Sequence, residues 1–122
     1  MTTAAPARRL TSNKVKSVMD VSFENLDEYL GNGNIDPIHP GIMYHVSVIE
    51  RRRLNVSDVA RQAGMSREML YRILRGEASI TASSAIGLAE VAGNQPDFWL
   101  RAQVIFDLWH ERNRRREARL SL

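Results

Sequence analysis

The feature that most constrains the fold is a pair of short helical segments within residues 56–76, VSDVARQAG and SREMLYRILRG. Asn55 is suited to cap the first segment, and Ser66 is suited to cap the second. Gly64 and Gly76 suit the left-handed backbone that commonly follows the last turn of a helix. Two short helices joined by so tight a turn are typical of a helix-turn-helix unit.

Three further helices surround this unit, and no segment has a convincing strand pattern. Thr81 is suited to cap the fourth helix, and Pro96 is suited to begin the fifth. Apolar spacing and these capping signals predict helices at about 41–53, 56–63, 67–75, 82–92 and 96–112 or longer. The sequence therefore predicts an all-α, compact five-helix bundle, because connections this short favour close helix packing.

The residues before the bundle differ from it in composition. The first 14 residues are small and polar without periodicity, so we expect disorder there. Apolar residues at helical spacing follow in VKSVMDVSFENLDEYL, before GNGN breaks the pattern. We expect three parts: an N-terminal extension (1–36) that is partly helical or disordered, the bundle (37–112), and a basic tail or helix extension (113–122).

Charge and composition narrow the class of protein. The chain has 122 residues, a net charge of +3 and no cysteine, which excludes disulfides and thiolate metal sites. Residues 1–36 carry four basic and five acidic side chains, whereas residues 37–122 carry thirteen and nine. A nucleic-acid partner is therefore expected at the bundle. Without a long apolar run or a secretory signal pattern, the expected location is the cytoplasm.

The second helix of the pair has two chemically different sides. With Leu70 at the centre of one side, Ile73 and Leu74 lie within about 60° of it at 100° per residue. The opposite side presents charged and aromatic residues, namely Arg67, Glu68, Tyr71, Arg72 and Arg75. Side chains of these types can contact base edges in the major groove, and Ser66 and Arg67 lie at the N-terminal end of the helix.

The sequence also allows two interpretations other than DNA binding, namely a solvated helix surface and an enzyme. The outward side of the helix could be ordinary solvated surface, with Glu68 and Arg72 as an i,i+4 ion pair. The preceding capped helix and the glycine turn favour DNA binding instead. An enzyme is not expected, because His39, His45 and His110 are isolated from any catalytic or metal-ligand pattern, so we expect no cofactor and no metal.

Residues 54–109 resemble the XRE (434-repressor-like) helix-turn-helix family, and residues 37–109 resemble its HigA-type antitoxins more narrowly. The narrower resemblance lies in the motifs PIHPG, SREMLYRILRG, ITASSAIGLAEVAGNQPDFWL and FDLW. It implies base contacts by Arg67, Glu68, Tyr71 and Arg72, and a backbone or base-edge contact by Ser66. Where the family usually has glutamine, this chain has Val56, so Asn55 and Ser57 become the candidates for that polar contact.

The resemblance also implies the antitoxin role in a type II toxin–antitoxin system. Such a protein neutralises a toxin, here expected to be a HigB-type ribonuclease, by direct binding, and represses its own operon by binding operator DNA. The candidate toxin-binding residues are apolar and lie in the N-terminal extension: Phe23, Leu26, Tyr29 and Leu30. Packing of this segment on its own domain, or exchange within a dimer, remains open. The alternative function is a stand-alone XRE-family repressor without a toxin.

The fifth helix carries the predicted dimer contacts. A single helix-turn-helix makes few base contacts, so such proteins usually bind two half-sites roughly 34 Å apart as dimers. We expect a homodimer near the fourth and fifth helices, through Trp99, Ile105, Phe106 and Trp109. These aromatic residues could instead close the core. Five arginines in 112–119 form either a solvated surface or further contacts to phosphate or to an acidic partner.

Overall fold

The computed structural model describes residues 36–121, and within that range the chain is entirely helical in its regular structure. The elements are α1 (Pro40–Tyr44), which continues into a π-helical segment (His45–Glu50), then α2 (Val56–Ala63), α3 (Arg67–Leu74), α4 (Ala82–Ala92) and α5 (Pro96–Leu120). The predicted all-α five-helix fold is confirmed. The predicted toxin-binding residues lie outside the described residues, as does the rest of the N-terminal extension up to residue 35: Phe23, Leu26, Tyr29 and Leu30.

Capping residues set the ends of the short helices where the sequence predicted them. The side chain of Asn55 accepts a hydrogen bond from the Asp58 amide at 3.0 Å, and Ser66 Oγ accepts one from the Met69 amide at 3.0 Å. Gly64 ends α2 with a φ of 76°, a conformation that costs glycine little. Because these signals are local, the observed bounds of α2 and α4 agree with the predicted ones.

The fifth helix and the end of the first differ more from the prediction. Helix α5 extends 25 residues, to Leu120, so the arginines that follow residue 111 continue the helix. The first helix changes to π-helical geometry at His45 and ends at Glu50, three residues before the predicted end. No helix among residues 36–121 is long and apolar enough to cross a membrane.

Trp99 lies at the centre of the core. Its side chain is fully buried and packs edge-on against Tyr44, with the ring centroids 5.1 Å apart. The indole Nε1–H donates to the side-chain oxygen of Asn94 at 3.0 Å, so the polar atom of the ring is satisfied inside the domain. The prediction that Trp99 contacts a second copy of the chain is therefore wrong, because no part of the ring reaches the surface.

Two glycines allow the helix-turn-helix to sit close to its supporting helices. A Cβ atom on Gly41 of α1 would lie 1.7 Å from the carbonyl oxygen of Ile73 in α3. A Cβ atom on Gly87 of α4 would lie 2.1 Å from the carbonyl oxygen of Ala63 in α2. Each helix of the pair is thus supported by a backbone contact that excludes any side chain, which fixes the position of α3 on the core.

Candidate nucleic-acid interface

Helix α3 separates its buried and exposed side chains as the sequence predicted. Leu70, Ile73 and Leu74 are 0%, 1% and 3% exposed and belong to the single apolar core. The five residues assigned to the outward side are all exposed: Arg67, Glu68, Tyr71, Arg72 and Arg75. The buried row fixes the rotation of α3 about its axis, so it determines which side chains can reach a partner.

The first turns of α2 and α3 lie side by side. Arg67 Nη1 donates to Ser57 Oγ at 3.4 Å, which links the beginning of the two helices. The Asn55 oxygen and the Ser66 hydroxyl oxygen are both occupied by cap hydrogen bonds. The amide hydrogens of Asn55 and the hydroxyl hydrogen of Ser66 can still donate to phosphate oxygen. Polar groups of both helices therefore converge on one edge of the domain.

Arg75 differs from the other cations of α3 because it has a carboxylate partner. Its Nε and Nη2 donate to the two carboxylate oxygens of Glu77, at 3.0 and 3.1 Å. This pairing lowers the pKa of Glu77 and raises the pKa of Arg75. Any contact between Arg75 and DNA would have to replace that pair, whereas Arg72 carries no such bidentate pair within residues 36–121.

The alternative to DNA binding was that the outward side of α3 is ordinary solvated surface, with an ion pair between Glu68 and Arg72. Across the part of the chain that the structure describes, the salt bridges do not include that pair. Both side chains are exposed, so both are available to an outside partner. The feature that would have explained these charges without DNA is therefore missing from the described residues.

Met69 is a candidate contact that the sequence reasoning did not include. Its side chain is 39% exposed, similar to the 42% of Tyr71 on the same helix. Met69 lies about 100° from Leu70, at the boundary between the two sides, so periodicity alone could not place it. An exposed apolar side chain on a groove-reading helix can contact the methyl group of thymine.

The residues predicted to form a dimer surface on α5 are partly covered within the single chain. Ile105, Phe106 and Trp109 are half-buried, and the ring of Phe106 packs against His39 and His110, with centroid distances of 4.9 and 4.2 Å. The more exposed apolar residues nearby are ones that the sequence reasoning omitted: Ile86 (54%), Val104 (53%) and Leu108 (45%). Ile86 belongs to α4. Val104 and Leu108 are spaced i,i+4 on α5, on a different side from the aromatic stripe, and that spacing is the signal that could have identified them.

The histidines of residues 36–121 are not grouped with other potential metal ligands of that range. Among residues 36–121, no three His, Cys, Asp or Glu side chains are grouped so that they could hold a metal ion. His39 is buried and caps α1, with its Nδ1 accepting from the Gly41 amide at 2.9 Å. Burial lowers the pKa of His39, although the nearby Asp107 carboxylate acts in the opposite direction. Its role in the described structure is to hold the beginning of α1.

Comparison with known proteins places these features in a family context. The helix-turn-helix family model HTH_3 matches residues 48–99. The chain is 36% identical over 81 residues to antitoxin HigA-1 of Vibrio cholerae, covering 66% of this chain and 76% of that protein.

Solved structures give the same result. A protein of Nostoc punctiforme, described as an antidote protein of a plasmid maintenance system, superposes with a TM-score of 0.67 at 30% identity, covering 71% of this chain and 94% of the other. A Pseudomonas aeruginosa protein solved in complex with its operator DNA superposes with a TM-score of 0.56 at 26% identity, covering 59% and 79%.

Proposed function

This chain belongs to the HigA-type antitoxins of the helix-turn-helix family, and on that premise we propose that it represses its own operon by binding operator DNA and neutralises a toxin by direct contact. The observation that carries the DNA-binding part is the exposed row of α3, which stands over a fully buried row and beside the first turn of α2. The relative solved with its operator DNA supports the same partner for this chain.

Recognition of operator DNA places α3 in the major groove. Arg67 and Arg72 can each pair with a guanine through two hydrogen bonds, and Glu68 can accept a hydrogen bond from cytosine. Asn55, Ser57 and Ser66 lie at the edge of the unit, where donors position a protein on the phosphate backbone. Arg75 acts there only if its carboxylate partner Glu77 is displaced.

Two alanine variants test the assignment of base contacts. Replacing Arg67 or Arg72 by Ala should weaken operator binding by roughly 1–3 kcal/mol and relax the preference at one base position. Fluorescence anisotropy with single-base operator variants measures both effects. The matched control is Arg119→Gln, which removes one exposed positive charge at the far end of α5 and should preserve the base preference.

Two outcomes would contradict this assignment. If Arg67→Ala and Arg72→Ala weakened binding to operator and unrelated DNA by the same factor, these arginines would contact phosphate and not bases. If the unaltered protein bound the DNA upstream of its own gene no more tightly than unrelated DNA, operator recognition itself would be wrong.

Toxin neutralisation is assigned to the N-terminal extension. The segment containing Phe23, Leu26, Tyr29 and Leu30 has an apolar stripe next to Asp27 and Glu28, which suits a partner with a basic surface. The partner is proposed to be a HigB-type ribonuclease.

Deletion of residues 1–36 separates the two activities. The truncated protein should keep operator binding but should fail to co-purify with the toxin and to protect cells that express it. A variant with Leu26→Asp and Tyr29→Asp in the full-length chain is the matched control, since it keeps chain length. Continued protection by the truncated protein would contradict this assignment. Operator binding without any toxin partner would favour the stand-alone repressor.

The protein is proposed to bind two half-sites as a homodimer. Ile105, Phe106 and Trp109 keep part of their surface exposed on α5, and Val104 and Leu108 form a second exposed apolar surface on another side of the same helix. Light scattering at micromolar concentration should give twice the mass of one chain, and Val104→Asp with Leu108→Asp should give a monomer. A monomeric unaltered protein, in the absence of DNA, would contradict the dimer.

A further inference from the structure

Arg53 has an unusual backbone conformation for a residue with a side chain. Its φ is 57°, in the left-handed region, and it is the one residue other than glycine with a positive φ in the described part of the chain. The other three left-handed positions are Gly64, Gly76 and Gly93. A Cβ atom is unfavourable in this region, so glycine is the residue that the backbone prefers at position 53.

The turn at Arg53 is held by main-chain groups. The Arg53 amide donates to the carbonyl of Glu50 at 3.1 Å, and the Leu54 amide donates to the carbonyl of Ile49 at 2.9 Å. Glycine at position 53 would make the same hydrogen bonds without the cost of a side chain. Folding therefore does not require the guanidinium of Arg53.

The neighbouring Arg52, unlike Arg53, makes hydrogen bonds within the domain. Its Nη2 donates to the carbonyl of Ala92 at 3.0 Å, and its Nη1 donates to the carbonyl of Val91 at 3.5 Å. It thereby covers the C-terminal carbonyl groups of α4. The side chain of Arg53 is exposed, and within residues 36–121 none of the hydrogen bonds or salt bridges involves its guanidinium.

The dipole of the preceding helix does not account for Arg53 either. Cations are favourable after a helix C-terminus, and Arg51 and Arg52 already provide two of them next to Glu50. A third cation at the left-handed position gains little from the same dipole, because the effect falls off within the last turn. The contacts within residues 36–121 therefore do not account for a side chain at residue 53.

The position of Arg53 indicates which kind of molecule its side chain could bind. Arg53 precedes the cap residue Asn55 by two positions, so their Cα atoms are at most about 7 Å apart. The first turn of α2 is linked to the start of α3 by the hydrogen bond between Ser57 and Arg67. Arg53 therefore lies at the edge of the domain where the helix-turn-helix meets DNA, and guanidinium groups bind phosphate through two parallel hydrogen bonds.

We propose that Arg53 binds a phosphate of the DNA backbone beside the helix-turn-helix, and that this contact adds affinity without sequence preference. The proposal rests on the DNA binding proposed above and adds a residue to it. The left-handed backbone holds the start of the side chain in a fixed direction before DNA arrives, and this favours a contact that glycine could not make.

Substitution by residues that accept the left-handed backbone tests this contact. Arg53→Gly and Arg53→Asn should bind the operator and an unrelated duplex more weakly by the same factor, about 5-fold at low salt. Affinity decreases with salt concentration, and the slope of log affinity against log salt concentration should become shallower by about 0.9, the value for one lost phosphate contact. Arg53→Lys should keep most of the slope. The thermal midpoint of Arg53→Gly should equal or exceed that of the unaltered protein.

Arg119→Gln is the matched control, because it removes one exposed positive charge at the far end of α5. An equal loss in this control would mean that overall charge, and not a contact of Arg53, determines the effect, and would overturn the proposal. Unchanged affinity and salt slope in Arg53→Gly would overturn it while leaving operator binding intact. A lowered thermal midpoint in Arg53→Gly would instead assign the side chain to folding. If the unaltered protein binds no DNA, both proposals fail together.

Discussion

Helices α3 and α5 illustrate how differently two helices of one small domain can use their side chains. Helix α3 has eight residues, and its buried and exposed sides are separated along its whole length. Helix α5 has 25 residues, buries Phe98, Trp99, Ala102 and Gln103 near its start, and is mostly exposed after residue 106. The short helix presents one surface at one place, whereas the long helix changes its role along its length.

This difference has a physical origin in the neighbours that each helix meets. The C-terminal end of α3 is held by the first turn of α1, where the Ile73 carbonyl lies against Gly41. Helix α5 is covered only where its neighbours reach it, for example where Gln103 accepts a hydrogen bond from the Ile80 amide at 2.8 Å. A length of 25 residues corresponds to about 37 Å. The part of α5 after residue 106 is mostly exposed, so the other helices cover only its first part.

The largest expected effect compares two tryptophans on α5. Trp99→Ala should lower the free energy of unfolding by about 3–5 kcal/mol, because it empties a fully buried site and leaves the Asn94 side chain without its donor. Trp109→Ala should have a much smaller effect on the isolated chain, because Trp109 is half-exposed. Urea unfolding followed by circular dichroism measures both. Equal losses would show that the buried part of α5 extends further than the structure places it.

The fold was predictable from sequence where the signals are local. Asn55, Ser66 and Thr81 cap the helices that they were expected to cap, and Gly64 and Gly93 end them in the left-handed conformation. The outward side of α3 followed from its periodicity once Leu70 was placed in the core.

Other features depend on groups that are distant in the chain. Trp99 lies on the edge of the apolar stripe of α5, and its burial follows from Tyr44, 55 positions earlier, which no local pattern reveals. The π-helical segment at His45–Glu50 likewise had no signal in the local sequence pattern. Exposure of Met69 and Leu108 depends on which neighbours fail to cover them.

A second prediction tests whether α3 is as sharply divided as the structure indicates. Leu70→Ala should lower the free energy of unfolding by about 2–5 kcal/mol, because Leu70 is fully buried. Its neighbour Met69 is 39% exposed, so Met69→Ala should cost much less and should act mainly on DNA binding. Thermal unfolding and operator titration of both variants separate the two sides. If Leu70→Ala melted normally and lost only DNA binding, the buried side of α3 would be wrongly assigned.

His39 makes contacts that connect α3 and α5, the two helices compared above. Its Nδ1 accepts from the Gly41 amide in the turn that lies on Ile73 of α3, and its ring packs against Phe106 of α5. Protonation at Nδ1 would remove the acceptor and place a charge in a buried site. The neutral form of His39 therefore supports both contacts at once.

The smallest expected effect is a dependence of stability on pH through His39. Burial lowers the pKa of His39 below its ordinary value of 6.5, so the unfolded chain binds the proton more readily than the folded chain. The contribution to stability is therefore complete above pH 6.5 and is lost as the pH falls from there toward the folded-state pKa. His39→Asn keeps a side-chain acceptor for the Gly41 amide but cannot titrate in this range, so its stability should fall less between pH 7.5 and pH 5.5 in a series at about half-unit steps. The difference between the two curves reports His39 together with its electrostatic interactions with Asp107 and His110. Parallel curves would show that the histidine has the same proton affinity in the folded and unfolded chain, and that its contacts with α1 and α5 do not depend on its charge.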